Sequence, residues 1–134
     1  PGQLAFPCAT QNELHIHDAK QLVANQCIAL AEGANMPCSP AAIRYLRKQG
    51  VLYGPGKAAN AGGVAISALE MSQNSQRLSW SAEELESRLK VVMRAIHAQC
   101  VKYGKDGGQI DYLKGANIAG FRKVAEAMLA YGVV

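Results

Sequence analysis

The stretch that decides the fold is Val51–Asn74, VLYGPGKAANAGGVAISALEMSQN. Val51-Leu52-Tyr53 reads as a short buried strand, Gly54-Pro55-Gly56 stops it, and Gly62-Gly63 let the backbone bend before Val64 onward turns helical. With a helix starting near Asn60 or Ala61, the residues Asn60, Val64 and Ser67 fall at i, i+4 and i+7 and share one face. An amide, an apolar contact and a hydroxyl on the first two turns of a helix sit in an N-terminal dipole that favours anions. A carboxylate is a natural guest for such a face.

Two phosphate-loop readings fit this stretch badly. Gly54-x-Gly56-x-x-Ala59 follows a strand and precedes a helix, as a dinucleotide fingerprint does, but Pro55 interrupts it and no acidic residue ends a strand about 20 positions on. Gly56-Lys57 is followed by Ala58 where a P-loop needs Ser or Thr for magnesium. The plainest reading is a tight strand-to-helix connection whose glycines serve packing.

Working upstream, Leu4-Ala5-Phe6 reads as a strand closed by Pro7, with Cys8–Asn12 as the loop at its C-terminal end. Asp18–Ala24 is a short amphipathic helix, and Cys27–Ala31 is a second buried strand ending in EGANMP. Ser39 caps a helix with Pro40 at its first position, Ile43 and Leu46 as its apolar stripe, and Gly50 just past its end. Strands alternating with helices of about ten residues imply a parallel sheet with right-handed crossovers, an α/β arrangement of the Rossmann type. In such sheets ligands sit beyond the strand ends, where Thr10-Gln11, Asn35 and Asn60 converge.

Downstream the pattern is helical. Ser81 and Glu84 form a capping box, and Leu85, Leu89, Val92, Ile96 and Cys100 keep helical spacing until Gly104 ends the run. Lys105–Gln109 reads as a polar loop. From Asn117 a last helix carries Phe121, Val124, Met128 and Leu129 inward, with Arg122, Lys123 and Glu126 outward. Gly-Ala-Asn occurs at Gly33 and again at Gly115, but the flanks differ and no repeat is inferred. No linker divides the 134 residues, so a single domain is expected over residues 1–134.

Composition narrows the function classes. With 49% hydrophobic and 18% charged residues the chain is an ordinary globular sequence, not a disordered one. A net charge of +4 with scattered basic residues gives no nucleic-acid surface, and Arg44, Arg47 and Lys48 read as a solvated helix face. No apolar run approaches 18 residues and no signal-like segment opens the sequence, which points away from membranes and toward the cytoplasm. Cys8, Cys27, Cys38 and Cys100 lack ligand spacing and read as reduced, mostly buried thiols. His15-x-His17-Asp18 has no third ligand in view, so it reads as the start of a helix with Asp18 near its N-cap and not as a metal site. The sequence opens Pro1-Gly2 without an initiator Met and is already strand-like by Leu4, which suggests part of a longer polypeptide.

Four motifs now combine: PCATQNEL (Pro7–Leu14), AEGANMP (Ala31–Pro37), GKAANAGGVAISALEMSQN (Gly56–Asn74) and KGANIAGFRKVAEAML (Lys114–Leu129). Together they closely resemble, in order and across nearly the whole chain, the C-terminal part of hexameric glutamate dehydrogenases, most of all the bacterial and fungal type that uses NADP. The resemblance implies the C-terminal half of a Rossmann-like, three-layer nicotinamide-dinucleotide-binding domain, parallel βαβαβ, followed by the C-terminal helices. It implies hydride transfer between L-glutamate and NADP or NAD, giving 2-oxoglutarate and ammonia, within cytoplasmic nitrogen assimilation. By position, Ser67 resembles the hydroxyl that binds the substrate's side-chain carboxylate, with Val64 lining the same pocket. Asn35 resembles the nicotinamide-contacting asparagine, Asn60 a residue at the cofactor and substrate junction, and Ala9, Thr10 and Gln11 the loop that passes the cofactor. The family's catalytic lysine and aspartate and its pyrophosphate loop have no counterpart here, so no catalytic residue is assigned and the chain alone is expected to be inert. Two other readings are an interaction or regulatory module with the same half-domain fold, and another amino-acid dehydrogenase. Ser67 argues against a branched-chain enzyme, which should carry an apolar residue there.

Overall fold

In the computed structural model, which describes residues 2–132, the first half of the chain builds a three-stranded parallel sheet. Its strands β1 (Leu4–Ala5), β2 (Ala29–Ala31) and β3 (Leu52–Gly54) lie in the order β1-β2-β3. The register pairs Leu4 with Ala29 and sets Ala29, Leu30 and Ala31 against Leu52, Tyr53 and Gly54. Helices α1 (Ile16–Ala24) and α2 (Pro40–Lys48) are the two crossovers. The α/β reading of the sequence therefore holds. The expected span 1–134 also takes in Pro1, Val133 and Val134, which lie outside the described residues.

The core sits between the sheet and these crossover helices. Leu30 and Tyr53 point from neighbouring strands into a cluster with Leu14, Ala19, Cys27, Cys38, Ala42, Leu46 and Val51, all buried. Burying the larger of these, such as Leu30 and Leu46, stabilises the fold by roughly 1.5–3 kcal/mol each. Local chemistry sets the helix ends. The Ser39 hydroxyl accepts from the Ala42 N–H at 3.4 Å with Pro40 at the first helical position, and Gly50 takes φ of +79° past the end. Helix α1 begins two residues before the expected Asp18, because Asp18 accepts the His15 N–H at 2.8 Å from the third helical position.

After β3 the chain makes a single turn, α3 (Gly56–Ala59), and passes through Asn60 into α4 (Ala61–Gln76). The expected bend at Gly62-Gly63 does not occur: both lie inside α4, and neither has a positive φ. A Cβ at Gly62 would lie 3.3 Å from Leu89 Cδ1, so this glycine serves the approach of α4 to α5 (Ala82–Gly104). Helix α5 starts at the expected capping box, with Ser81 and Glu84 exchanging two 3.2 Å bonds. Its distal half crosses the second face of the sheet, where Met93, Ile96 and Cys100 line an apolar cavity of about 310 Å³ with Leu4, Leu30 and Leu52.

Three expectations fail in the last third, and one for α2 with them. Lys105–Gln109 is not a plain loop but most of a hairpin, with β4 (Lys105–Asp106) antiparallel to β5 (Gln109–Ile110). Gly107 and Gly108 both have positive φ, as a two-residue primed turn requires. The final helix α6 runs Tyr112–Tyr131, five residues earlier than Asn117, because Asp111 caps it by accepting the Lys114 N–H at 3.0 Å. Asp111 also pairs with Arg47, so that part of the α2 basic face is not purely solvated. Nor do Phe121, Val124, Met128 and Leu129 face inward: each is 60% exposed or more. Gly115 seats the first turns of α6 on the Cys100 backbone of α5, but the described residues leave those four apolar side chains beyond it uncovered.

Candidate functional site

The loops that leave β1 and β2 are stitched together before they reach solvent. The Gly33 and Ala34 N–H groups both donate to the Pro7 carbonyl, at 2.9 and 3.1 Å, and Asn12 N–H donates to the Met36 carbonyl at 3.0 Å. Asn12 and Met36 both adopt left-handed backbone, with φ of +56° and +51°, where these two loops meet. A Cβ at Gly33 would fall on Cys8 Sγ, so close loop approach requires glycine there.

Between these loops and the start of α4 lies an open cleft of about 620 Å³, lined by Cys8, Ala9, Thr10, Gln11, Gly33, Ala34, Asn35, Asn60 and Val64. Six of the seven residues singled out from sequence thus share one wall-to-wall site. Ser67 is the exception. It lies three residues beyond Val64 on α4, exposed, with its hydroxyl donating to the Gly63 carbonyl at 3.2 Å, and it does not line the cleft.

The centre of the cleft is an amide pair. Asn60 Nδ2 donates to Asn35 Oδ1 at 2.7 Å and to the Ala34 carbonyl at 3.2 Å. Both Asn60 N–H bonds are therefore used. That leaves an acceptor on Asn60 and donors on Asn35 that bond no other described residue. No Lys, Arg or His lines the cleft, so it suits a neutral, two-sided hydrogen-bonding group better than a phosphate.

Sequence reasoning missed Glu32, at the tip of β2. It is buried, and its carboxylate accepts the Gly56 N–H at 2.8 Å and the Cys38 N–H at 3.3 Å. Glu32 thus satisfies the first N–H of the single turn α3, while the N-cap of α4, Asn60, makes no side-chain capping bond. Burial, reinforced by the charge of Glu32, pushes the Cys38 thiol up to about 12. Tyr53 lies in the same pocket, its phenol pushed well above its ordinary range by burial and then by hydrogen bonding to Glu32. A lone acid at the end of an otherwise apolar strand was the signal available in the sequence.

His17 Nε2 and Gln21 Nε2 lie 3.3 Å apart and Asp18 is held by His15, which places the His15-to-Asp18 triplet in the first turn of α1. All four cysteines are free, Cys8 exposed and the others buried. None of the described helices is long and apolar enough to cross a membrane.

Known proteins resemble this chain along its whole length. The glutamate dehydrogenase of Bacteroides thetaiotaomicron is 59% identical over 132 residues, covering 98% of this chain and 30% of its own. NADP-specific, NAD-specific and NAD(P)-specific glutamate dehydrogenases are all among such relatives. The crystal structure of Plasmodium falciparum glutamate dehydrogenase superposes with a TM-score of 0.93 at 49% identity, over all of this chain and 29% of that one. The hetero-hexameric glutamate dehydrogenase of Thermus thermophilus superposes at 0.87 with 27% identity, over 98% and 31%. The chain spans about 30% of the length of the curated relatives it matches. The family model for glutamate/leucine/phenylalanine/valine dehydrogenases matches residues 1–132, and the chain belongs to that family.

Proposed function

We propose that this chain is the C-terminal half of the cofactor domain of a glutamate dehydrogenase, an oxidoreductase that interconverts L-glutamate with 2-oxoglutarate and ammonia. When bound, NADP or NAD supplies the hydride acceptor at its nicotinamide ring. The observation that carries the reading is the locked Asn35–Asn60 pair, which leaves one amide acceptor and one set of amide donors at the cleft. A carboxamide needs one of each, and holding both in place orients the ring to which it is attached. Ala9, Thr10 and Gln11 form the wall that passes the cofactor, and the small residues Gly33 and Ala34 allow a flat ring to come close.

Val64 and Ser67 are assigned to the substrate side of the same helix. Ser67 reaches a side-chain carboxylate by turning its proton away from the Gly63 carbonyl, exchanging a neutral bond for a charge-assisted one. The lysine and aspartate that move protons are supplied by another part of the polypeptide, together with the pyrophosphate loop, in keeping with a cleft that holds no cation. The working enzyme is proposed to be a cytoplasmic homohexamer that serves nitrogen assimilation and amino-acid metabolism. The hetero-hexameric relative supports the number of subunits. The test is Asn60→Ala in the full-length enzyme. KM for the nicotinamide cofactor should rise about tenfold or more, as for loss of a well-placed polar contact. An unchanged cofactor KM would remove the amide pair from the cofactor site.

A further inference from the structure

Glu32 is a buried carboxylate that no step above uses. It is only 4% exposed, and among the described residues no cationic side chain pairs with it. Burying a charge this way is costly; two backbone N–H groups offset it, with the Tyr53 phenol and the Cys38 thiol beside them in the same pocket. The two N–H groups come from elements that the cleft depends on. One is Cys38, at the end of the loop that carries Asn35. The other is Gly56, the first residue of α3, at 2.8 Å.

From Gly56 the connection continues to the cleft. The Gly56 carbonyl accepts the Asn60 N–H at 2.9 Å, and the Asn60 side chain returns to Ala34 and Asn35. The chain from Asn35 back to Glu32 closes the ring. Every link is a direct hydrogen bond or a covalent segment of at most four residues, so the distance between the two amides is tied to the Glu32 carboxylate. A hypothetical Cβ on Gly56 would lie 3.1 Å from the Ala34 carbonyl and 3.2 Å from Glu32 Oε2, which shows how little slack the ring has.

We propose that Glu32 is a positioning residue for the Asn35–Asn60 pair, holding the loop after β2 and the start of α3 at the spacing the nicotinamide end of the cofactor requires. The inference rests on the proposed role of the two asparagines. A carboxylate suits the post because both partners are donors and it offers only acceptors. Glutamine, equal in size, must turn its NH2 toward one of the two N–H groups.

The test uses the full-length enzyme with Glu32→Gln, Asn60→Ala and the double variant. Glu32→Gln is expected to raise KM for the cofactor about tenfold while kcat changes little. In the Asn60→Ala background it should add almost nothing, because the pair it positions is already broken. An unchanged KM, or an effect that multiplies independently with that of Asn60→Ala, overturns the inference. If Asn35→Ala and Asn60→Ala themselves leave the cofactor KM unaltered, the proposed function of the cleft fails and this inference falls with it. Should Glu32→Gln not fold, Glu32→Asp decides: it keeps the carboxylate but is one methylene shorter, so it cannot hold both N–H groups at the same spacing. A raised cofactor KM supports the positioning role and an unchanged one refutes it.

Discussion

Replacing Gly33 by alanine should loosen the cleft through a single atom. The Gly33 backbone is not in the left-handed region, so an alanine there suffers no backbone strain and the cost is packing alone. Its Cβ would fall on Cys8 Sγ, while Cys8 Cβ and Cα lie at 3.4 and 3.6 Å, ordinary or slightly tight contact. Overpacking of this kind costs roughly 1–3 kcal/mol. The strain falls on the two bonds from Gly33 and Ala34 to the Pro7 carbonyl, which join the cleft loops. Amide exchange over residues 31–38, followed by mass spectrometry, should therefore quicken by about 5- to 150-fold. Adding Cys8→Ala removes the one overlapping atom and should restore slow exchange. If Cys8, which is exposed, turns aside at no cost, Gly33→Ala will exchange at the wild-type rate. That result, or a failure of Cys8→Ala to rescue, would refute the reasoning.

Ser67→Ala in the full-length enzyme should raise KM for glutamate by the equivalent of about 1–3 kcal/mol, and unaltered glutamate kinetics would remove Ser67 from the substrate pocket. The isolated 134-residue chain should show no glutamate-dependent reduction of NADP or NAD in a spectrophotometric assay; steady turnover would contradict the assignment of proton transfer to another segment. Iodoacetamide at pH 8 should label the exposed Cys8 well before Cys38, because the thiolate is the nucleophile and the Cys38 pKa of about 12 leaves it protonated until far higher pH; equal labelling rates by mass spectrometry would show that the Cys38 pocket opens. The uncovered stripe of Phe121, Val124 and Met128 should make the isolated chain self-associate, and a clean monomer at high concentration in the ultracentrifuge would disprove that.

The elements legible in the sequence are those whose causes lie within a few residues. Ser39 with Pro40 and Ser81 with Glu84 cap their helices by bonds that span three positions, and the alternation of short apolar runs with amphipathic segments was enough for a parallel sheet. From those alone followed the strand-end loops, and hence Ala9 to Gln11, Asn35 and Asn60 as neighbours. What escaped was set by partners far along the chain. Glu32 meets Gly56 across 24 positions because the register puts Ala31 beside Gly54, and no local pattern encodes that register. Apolar spacing on α6 marked a one-sided helix but could not say what lies opposite, and the described residues leave those side chains uncovered. Helical period placed Ser67 on the face of Val64, whereas the loops that close the cleft stop one turn short of it. Periodicity and capping are local physics and can be read from the sequence; which surfaces meet depends on the packing of the whole chain, and only the tertiary structure decided it.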